Sequence, residues 1–390
     1  MTGKPTILLI GPTPPPHHGV SMAMQILLAS PLAEAFRLVH LDISDRRGIN
    51  HIDQPDLHDV FLFVKQFLRN LAFILRERPA LFYLPISQTR LGFLRDSLFI
   101  LPALLMRIPV VLHLHGAHFD VMYDGAGPTW RTYMGLILGR VSRFVVLGEM
   151  LRPIFSRWAS PDKISVIPNG VRLDSAPKEP APISRRRDGD PFRVIFLSSL
   201  GRQKGLFVLL QAIPSVEKSC PGAEFLIAGP WWGKTTQREA EDCVALLDIT
   251  EKVRFVGPLT GQQKSAFLQS GSLFVFPGIQ QEGQPMTVLE AMSEGLPVIA
   301  TDRGCLKETV IDGVTGFIVP PNSPEAIAEK IIHLIQHPAL RDQMAANAFM
   351  RVGHCYTVEQ FANRLGEAFR QTMIDAQGRS AREVRIGSIP

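Results

Sequence analysis

Cysteine is scarce: the 390 residues hold four, Cys220, Cys243, Cys305 and Cys355, widely scattered and without a CxxC pair or a zinc-like spacing. A disulfide framework is not expected, and a reducing, intracellular setting is. A signal-peptide pattern is also missing, because the chain runs almost at once into an apolar strand at Thr6–Gly11. Long apolar runs are missing too. The stretch Ser97 to Leu114 comes nearest, but Pro102, Arg107 and Pro109 interrupt it. It reads as a buried helix followed by a buried strand, not a membrane span. The loop after the first strand, GPTPPPHHGVSMAM, lacks the G-x-G-x-x-G spacing of a dinucleotide site. No interleaved aromatic and basic motif of the nucleic-acid-binding kind is found, so nucleic acid is not an expected partner.

Charge of one sign is in slight excess, at +5, and it is unevenly placed. Residues 1–175 carry 18 Lys/Arg against 13 Asp/Glu, and the remainder is balanced at 23 of each. Two readings stay open for that basic first half: attraction to a membrane surface of anionic lipid, or plain solubility. The segment Val60 to Arg78 mixes Phe61, Phe67, Leu68 and Leu71 with Lys65, Arg69, Arg76 and Arg78. It suits an interfacial helix and equally a core-packed helix with a solvated basic face.

The length suits two domains. Short apolar runs alternate with helical patterns from Ile7 to Ile167, and the alternation restarts at Phe192. That pattern argues for two α/β units, each a parallel sheet with helices on both faces. A polar, Pro-rich piece between them, residues 174–191, reads as a linker. The expected domains are therefore 1–173 and 192–355. Three helices near 324–336, 338–350 and 357–375 close the chain.

The richest segment is FPGIQQEGQPMTVLEAMSEGLPVIAT, Phe276 to Thr301. Met286, Leu289 and Met292 recur at helical spacing, and Pro285 suits a first helical position. Gly295 suits the stop, and Val298 to Ala300 a buried strand. Gly283, Gln284, Pro285 and Met286 then lie at a helix N-terminus, whose free N–H groups favour a phosphate or diphosphate. Glu282 precedes the helix, and Glu290 is expected about two turns down it. One carboxylate suits a ribose and the other a hexose. A second loop, Ser198 to Ile213, carries Lys204 at a helix start, within reach of a diphosphate. Further upstream, VLHLHGAHFD places His113, His115 and His118 at the end of an apolar strand, with His113 and His115 on one face. No carboxylate or cysteine completes a metal set there.

At Glu282 and Glu290 the chain resembles the retaining family 4 glycosyltransferases, which have the GT-B fold. The two glutamates match that family's E-x7-E element, and the match continues through EAMSEGLPVIAT to TGFIVP, Thr315 to Pro320. The resemblance implies two Rossmann-like doubly wound domains facing a central cleft, with the helix near 357–375 packing back on the first. It assigns Glu282 to the donor sugar, Glu290 to the donor ribose and Lys204 to the diphosphate. Relatives carry an arginine five residues before this lysine; here that position is Ser199, and Arg202 stands nearby to supply the charge. Relatives also carry a glycine pair in the first loop, of which Gly19 keeps one member and His18 replaces the other. A histidine beside the donor sugar is matched best by His115 and next by His118. VIPNGV, Val166 to Val171, matches a recurrent turn before the linker. No metal ion or other cofactor is expected.

The function implied is transfer of a hexose from a UDP- or GDP-sugar, with retention of configuration, to a saccharide acceptor. A lipid-linked acceptor fits the apolar, basic first half, at the inner face of the cytoplasmic membrane and in cell-surface polysaccharide assembly. Two alternatives are kept: a non-catalytic sugar-nucleotide-binding module, and an epimerase or phosphorylase on the same architecture.

Overall fold

The computed structural model describes residues 3–45, 57–173 and 191–386. They form two compact units, the first Met1–Gly170 with Val358–Pro390 and the second Val171–Thr357. Most of the expected linker, 174–190, lies outside the described residues.

The first unit runs β1 (Thr6–Gly11), α1 (Gly19–Leu28), α2 (Leu32–Ala35), β2 (Arg37–Asp42), α3 (Leu57–Glu77), β3 (Leu81–Pro85), α4 (Arg90–Leu105), β4 (Val110–Leu114), α5 (Phe119–Asp124), α6 (Pro128–Leu138), β5 (Arg143–Val146) and β6 (Ile164–Val166). All neighbouring strands are parallel, in the order β2-β1-β3-β4-β5-β6. Aliphatic runs such as Ile7–Ile10 and Val110–Leu112 are buried throughout, as a sheet covered on both faces requires.

The second unit runs β7 (Arg193–Leu197), α7 (Leu206–Ser219), β8 (Glu224–Ala228), α8 (Lys234–Leu246), β9 (Val253–Gly257), α9 (Gly261–Gln269), β10 (Leu273–Phe276), α10 (Met286–Ser293), β11 (Val298–Thr301), α11 (Leu306–Thr309), β12 (Gly316–Val319), α12 (Pro324–Gln336) and α13 (Pro338–Cys355). Its strands are also parallel, in the order β12-β11-β10-β7-β8-β9. This is the doubly wound order in which the winding direction reverses between β7 and β10. Two apolar clusters, one around Phe196 and Ile213 and one around Phe276 and Leu289, cover its two faces.

The last helix, α14 (Val358–Ile386), belongs to the first unit. Phe369 packs edge-on against Phe36 and Tyr83, with ring centroids 5.9 and 5.6 Å away. Arg143 at the start of β5 donates to Thr372 Oγ1 at 2.8 Å and pairs with Asp375 at 3.1 Å.

Four expectations need correction. Pro285 is the N-cap of α10, with extended backbone (φ −62°, ψ 121°), not its first helical residue. Glu290 is one turn into that helix, because α10 starts at Met286. TGFIVP contributes a strand, β12, that the alternation of apolar runs did not separate, since Phe317 and Ile318 stay half-buried. The apolar stretch from Ser97 is buried throughout β4 but only on one side of α4, where Phe99, Ile100 and Ala103 are buried and Leu101 and Leu105 are exposed.

Candidate functional site

Reversal of the winding opens a crevice between the two loops that leave β7 and β10, where ligands of doubly wound sheets bind. The loop after β7 makes one 3-10 turn, Arg202–Lys204, and enters α7 through Gly205 at φ +81°. A Cβ there would stand 1.8 Å from the Pro277 carbonyl oxygen, so only glycine lets the two loops touch. Ile279 N–H donates to Gln203 O at 2.9 Å across the same contact.

That contact brings Lys204 to Glu282. The ammonium Nζ lies 2.6 Å from Oε1 and 2.8 Å from Oε2, with the two side chains 18% and 10% exposed. The Glu282 backbone is held as well. Cys305 N–H donates to its carbonyl at 3.3 Å, and a Cβ on Gly304 (φ +54°) would stand 1.8 Å from the same oxygen. Gly304 N–H donates to Gln281 Oε1 at 2.6 Å, and Thr301 Oγ1 donates to Gly278 O at 2.5 Å. The β11 end therefore fixes the loop that carries the carboxylate.

Gly283 and Gln284 follow, both buried, and Gln284 Nε2 donates to Thr309 Oγ1 at 3.1 Å. No side chain caps α10. Its first N–H groups, from Met286 onward, give this end of the helix a partial positive charge. Glu290 accepts from Lys264 Nζ of α9 at 2.5 Å through Oε1, while its buried Oε2 has no hydrogen-bond partner. Burial pushes the Glu290 carboxyl above its ordinary pKa, and the Lys264 charge only partly offsets that.

Sequence reasoning missed Lys264. It sits alone in the polar helix GQQKSAFLQ, and only the pairing of α9 with α10 gives it a partner 26 positions away. Arg202 is placed differently from expectation. Its guanidinium pairs with Glu239 of α8 at 2.9 Å and lies over the Phe207 ring at 4.3 Å, and neither contact is with the Lys204–Glu282 pair.

The first unit has its own reversal, between β1 and β3. The loop leaving β1 reaches His18, the N-cap of α1, whose Nδ1 accepts from Ser21 N–H at 3.3 Å. Gly19 opens the helix, and a Cβ there would meet no atom within 4 Å. At the end of β4, the His113 and His115 rings lie 4.0 Å apart at 33°, as strand alternation requires of positions i and i+2. Tyr83 Oη shares a 2.7 Å hydrogen bond with His113 Nδ1, and His113 Nε2 is buried without a partner. Burial holds the His113 imidazole far below its ordinary pKa. His115, half-buried, is pushed down to about 4 by burial first and by the nearby His18 second. Its neutral ring can therefore both donate and accept a hydrogen bond at physiological pH. His118 is separate: it precedes α5, and its backbone N–H donates to Gln88 Oε1 at 2.6 Å.

Among the described residues no group of three or more His, Cys, Asp or Glu side chains is arranged to hold a metal. An Asp-Gly-Asp triplet, Asp188 to Asp190, stands in the expected linker and lies outside the described residues. The expectation of a metal-free reaction therefore rests on the family resemblance.

Residues 178–351 match the family described as glycosyl transferases group 1. Over 181 residues the chain is 30% identical to a phosphatidyl-myo-inositol mannosyltransferase of Mycobacterium leprae, covering 46% of each chain. It is 25% identical over 243 residues to a putative colanic acid biosynthesis glycosyltransferase of Salmonella typhimurium, covering 58% of this chain and 57% of that one. This chain thus spans about half the length of the curated relatives it matches. Among solved structures, Anabaena HepE in complex with UDP superposes with a TM-score of 0.73 at 20% identity, over 94% of this chain and 100% of that one. A glycosyltransferase from Rickettsia africae gives 0.75 at 16% identity, over 95% and 99%. Two parallel six-stranded α/β units of this kind are the GT-B architecture.

Proposed function

We propose that this chain, whose second unit is a glycosyl transferases group 1 domain, is a retaining glycosyltransferase. It moves a hexose from a nucleotide-diphosphate sugar, carrying UDP or GDP, to a saccharide acceptor. The observation that carries this reading is the Lys204–Glu282 pair at the winding reversal of that unit, next to the uncapped start of α10.

The pair supplies two opposite functions once a donor enters. The diphosphate is a stronger partner for Lys204 than a single carboxylate, because it carries more charge. Lys204 and the N–H groups of Gly283, Gln284 and Met286 take the phosphates, and Glu282 turns to the sugar hydroxyls. Glu290 accepts from the ribose hydroxyls through Oε2, which has no hydrogen-bond partner among the described residues. We assign His115 of the first unit, in its neutral form, to a hydroxyl of the reacting sugar, and Gly19 to a close backbone approach. Arg202 does not belong to the resting constellation, and it joins only by leaving Glu239.

In the reaction the bond from the anomeric carbon to the phosphate oxygen breaks, and the acceptor oxygen bonds to that carbon on the same face. The acceptor proton passes to the departing phosphate oxygen. The charge growing on the diphosphate is what Lys204 and the α10 amides stabilise. No cofactor is needed for this balance. A lipid-linked saccharide is the proposed acceptor, with the protein peripheral at the inner face of the cytoplasmic membrane. Relatives named for phosphatidyl-myo-inositol and for colanic acid support a lipid acceptor and a cell-surface polysaccharide pathway.

Product analysis tests the reading. Incubation with donor and lipid-linked acceptor should yield a product with the anomeric configuration of the donor. Inversion removes the same-face mechanism, and conversion of donor without acceptor favours an epimerase. His115→Ala should abolish transfer while leaving nucleotide binding in place.

A further inference from the structure

Ten of the nineteen exposed large apolar side chains in the described residues fall on two adjacent helices and the residue that ends them, α3, α4 and Met106. The connections β2 to β3 and β3 to β4 step the same way across the sheet order, so right-handed crossovers place α3 and α4 on one face. They are locked together there: Asn70 Nδ2 donates to the Phe99 carbonyl at 2.9 Å, and the Phe63 and Phe99 rings lie 5.6 Å apart. Among the described residues no element covers the outward surfaces of the two helices.

The composition of those surfaces is ordered. At 3.6 residues per turn, Val60, Phe61, Val64, Leu68 and Leu75 fall within an arc of about 100° on α3. Lys65, Arg69 and Arg76, all exposed, fall within about 40° along one border of that arc. Glu77 points elsewhere, to Arg37 at 2.7 Å. On α4, Leu91, Leu94, Leu98, Leu101 and Leu105 follow at spacings of three and four, and all but the half-buried Leu98 are exposed. Phe61 is 66% exposed and Leu105 76%, values at odds with a core-packed role. Such a concentration of apolar surface marks an interaction site. Among the described residues no helix is long and apolar enough to cross a membrane.

We propose that the outward face of α3 and α4 is a docking surface for a bilayer rich in anionic lipid. The leucines and Phe61 enter the boundary between headgroups and acyl chains, and Lys65, Arg69 and Arg76 lie among the anionic headgroups. An apolar arc with a basic border is the arrangement of a helix lying in a membrane interface. A second copy of the chain fits the heptad-like leucines but not the border. A two-fold contact pairs a surface with itself, so it would bring the basic stripes of two copies to one interface with no acidic partner among the described exposed side chains of α3. The inference deepens the lipid-acceptor reading, but it stands on surface geometry alone.

The test is co-sedimentation of the full chain with vesicles of phosphatidylcholine, alone or with about a third phosphatidylglycerol, without sugar donor or acceptor lipid. The chain should bind the anionic vesicles at least tenfold more tightly than the neutral ones. Lys65→Glu with Arg69→Glu should lower that binding at least tenfold, and so should Phe61→Ser with Leu68→Ser. Both pairs of substitutions are on the surface, and unchanged circular dichroism and melting temperature confirm that the fold survives. Absence of vesicle binding overturns the proposal, as does binding indifferent to both double variants. So does a dimer, seen by light scattering, that Phe61→Ser with Leu68→Ser dissolves while vesicles stay unbound. Vesicle binding retained by a chain that fails to transfer sugar would overturn the enzymatic reading and leave this one standing.

Discussion

Lys204 and Glu282 are 78 positions apart and share hydrogen bonds of 2.6 and 2.8 Å. Each neutralises the other in the resting chain, so the cation and the carboxylate proposed for the phosphates and the sugar are held as one ion pair. Under the proposed function, donor binding separates them.

Replacement of Lys204 follows from that pairing. Lys204→Ala should lower kcat by about 10²–10³, the usual consequence of losing one stabiliser of a developing anion. Glu282 would also lose its counter-charge in a site only 10% exposed, so donor affinity should fall as well. Steady-state kinetics with one donor measure both effects. An unchanged kcat would remove Lys204 from the mechanism.

Gly205 should tolerate no side chain. Gly205→Ala forces a Cβ against the Pro277 carbonyl, at a backbone angle that L residues rarely adopt. Gly222→Ala shares the positive φ but meets open space. Thermal unfolding should therefore show a larger loss for Gly205→Ala, by about 2 kcal/mol or more, together with lost turnover. Equal losses in the two variants would mean that the close approach of the loops carries no weight.

Glu290 links stability to function with opposite signs. Its pKa is raised in the folded protein, so the folded state holds a proton more readily than the unfolded chain. Its contribution to stability is present in acid and is lost as pH rises through the folded value. At pH 7 the carboxylate is therefore a liability that Lys264 only partly relieves. Glu290→Gln should leave the melting temperature at pH 7 unchanged or higher and weaken donor binding at least tenfold. A lower melting temperature would show that the Lys264 pair outweighs burial.

His115 sets an acid limit. With its pKa near 4, the ring is neutral above about pH 5 and supplies no ionisation between pH 6 and 8. Its depressed value also favours the folded state above the unfolded imidazole pKa of about 6.5, and that stability is lost as pH falls from there toward 4. The pH profile of kcat/KM should carry no limb near 6.5 that disappears in His115→Gln. Such a limb would place a protonated His115 in the working site.

Much of this was legible in the sequence. The buried strands showed because each is a short apolar run, Leu81–Leu84 or Leu273–Phe276, between polar stretches. Glu282 and Glu290 showed through their spacing in one segment. Their partners were not legible as partners, because Lys204 and Lys264 meet them only across neighbouring elements of the sheet and its helices. Arg202 read as a phosphate ligand from its position in the loop, and its place over Phe207 depends on the packing of α7 and α8. The leucines of α4 read as core because composition alone cannot separate a buried helix from one with an outward apolar face.

The most direct measurement is nucleotide release from a panel of UDP-, GDP- and ADP-sugars, with and without membrane lipid extract, comparing the native chain with Lys204→Ala. The account predicts release from a UDP- or GDP-sugar, increased by the extract and lost in the variant. Saturable nucleotide binding without release from any donor, with or without the extract, would contradict it and leave a sugar-nucleotide-binding module.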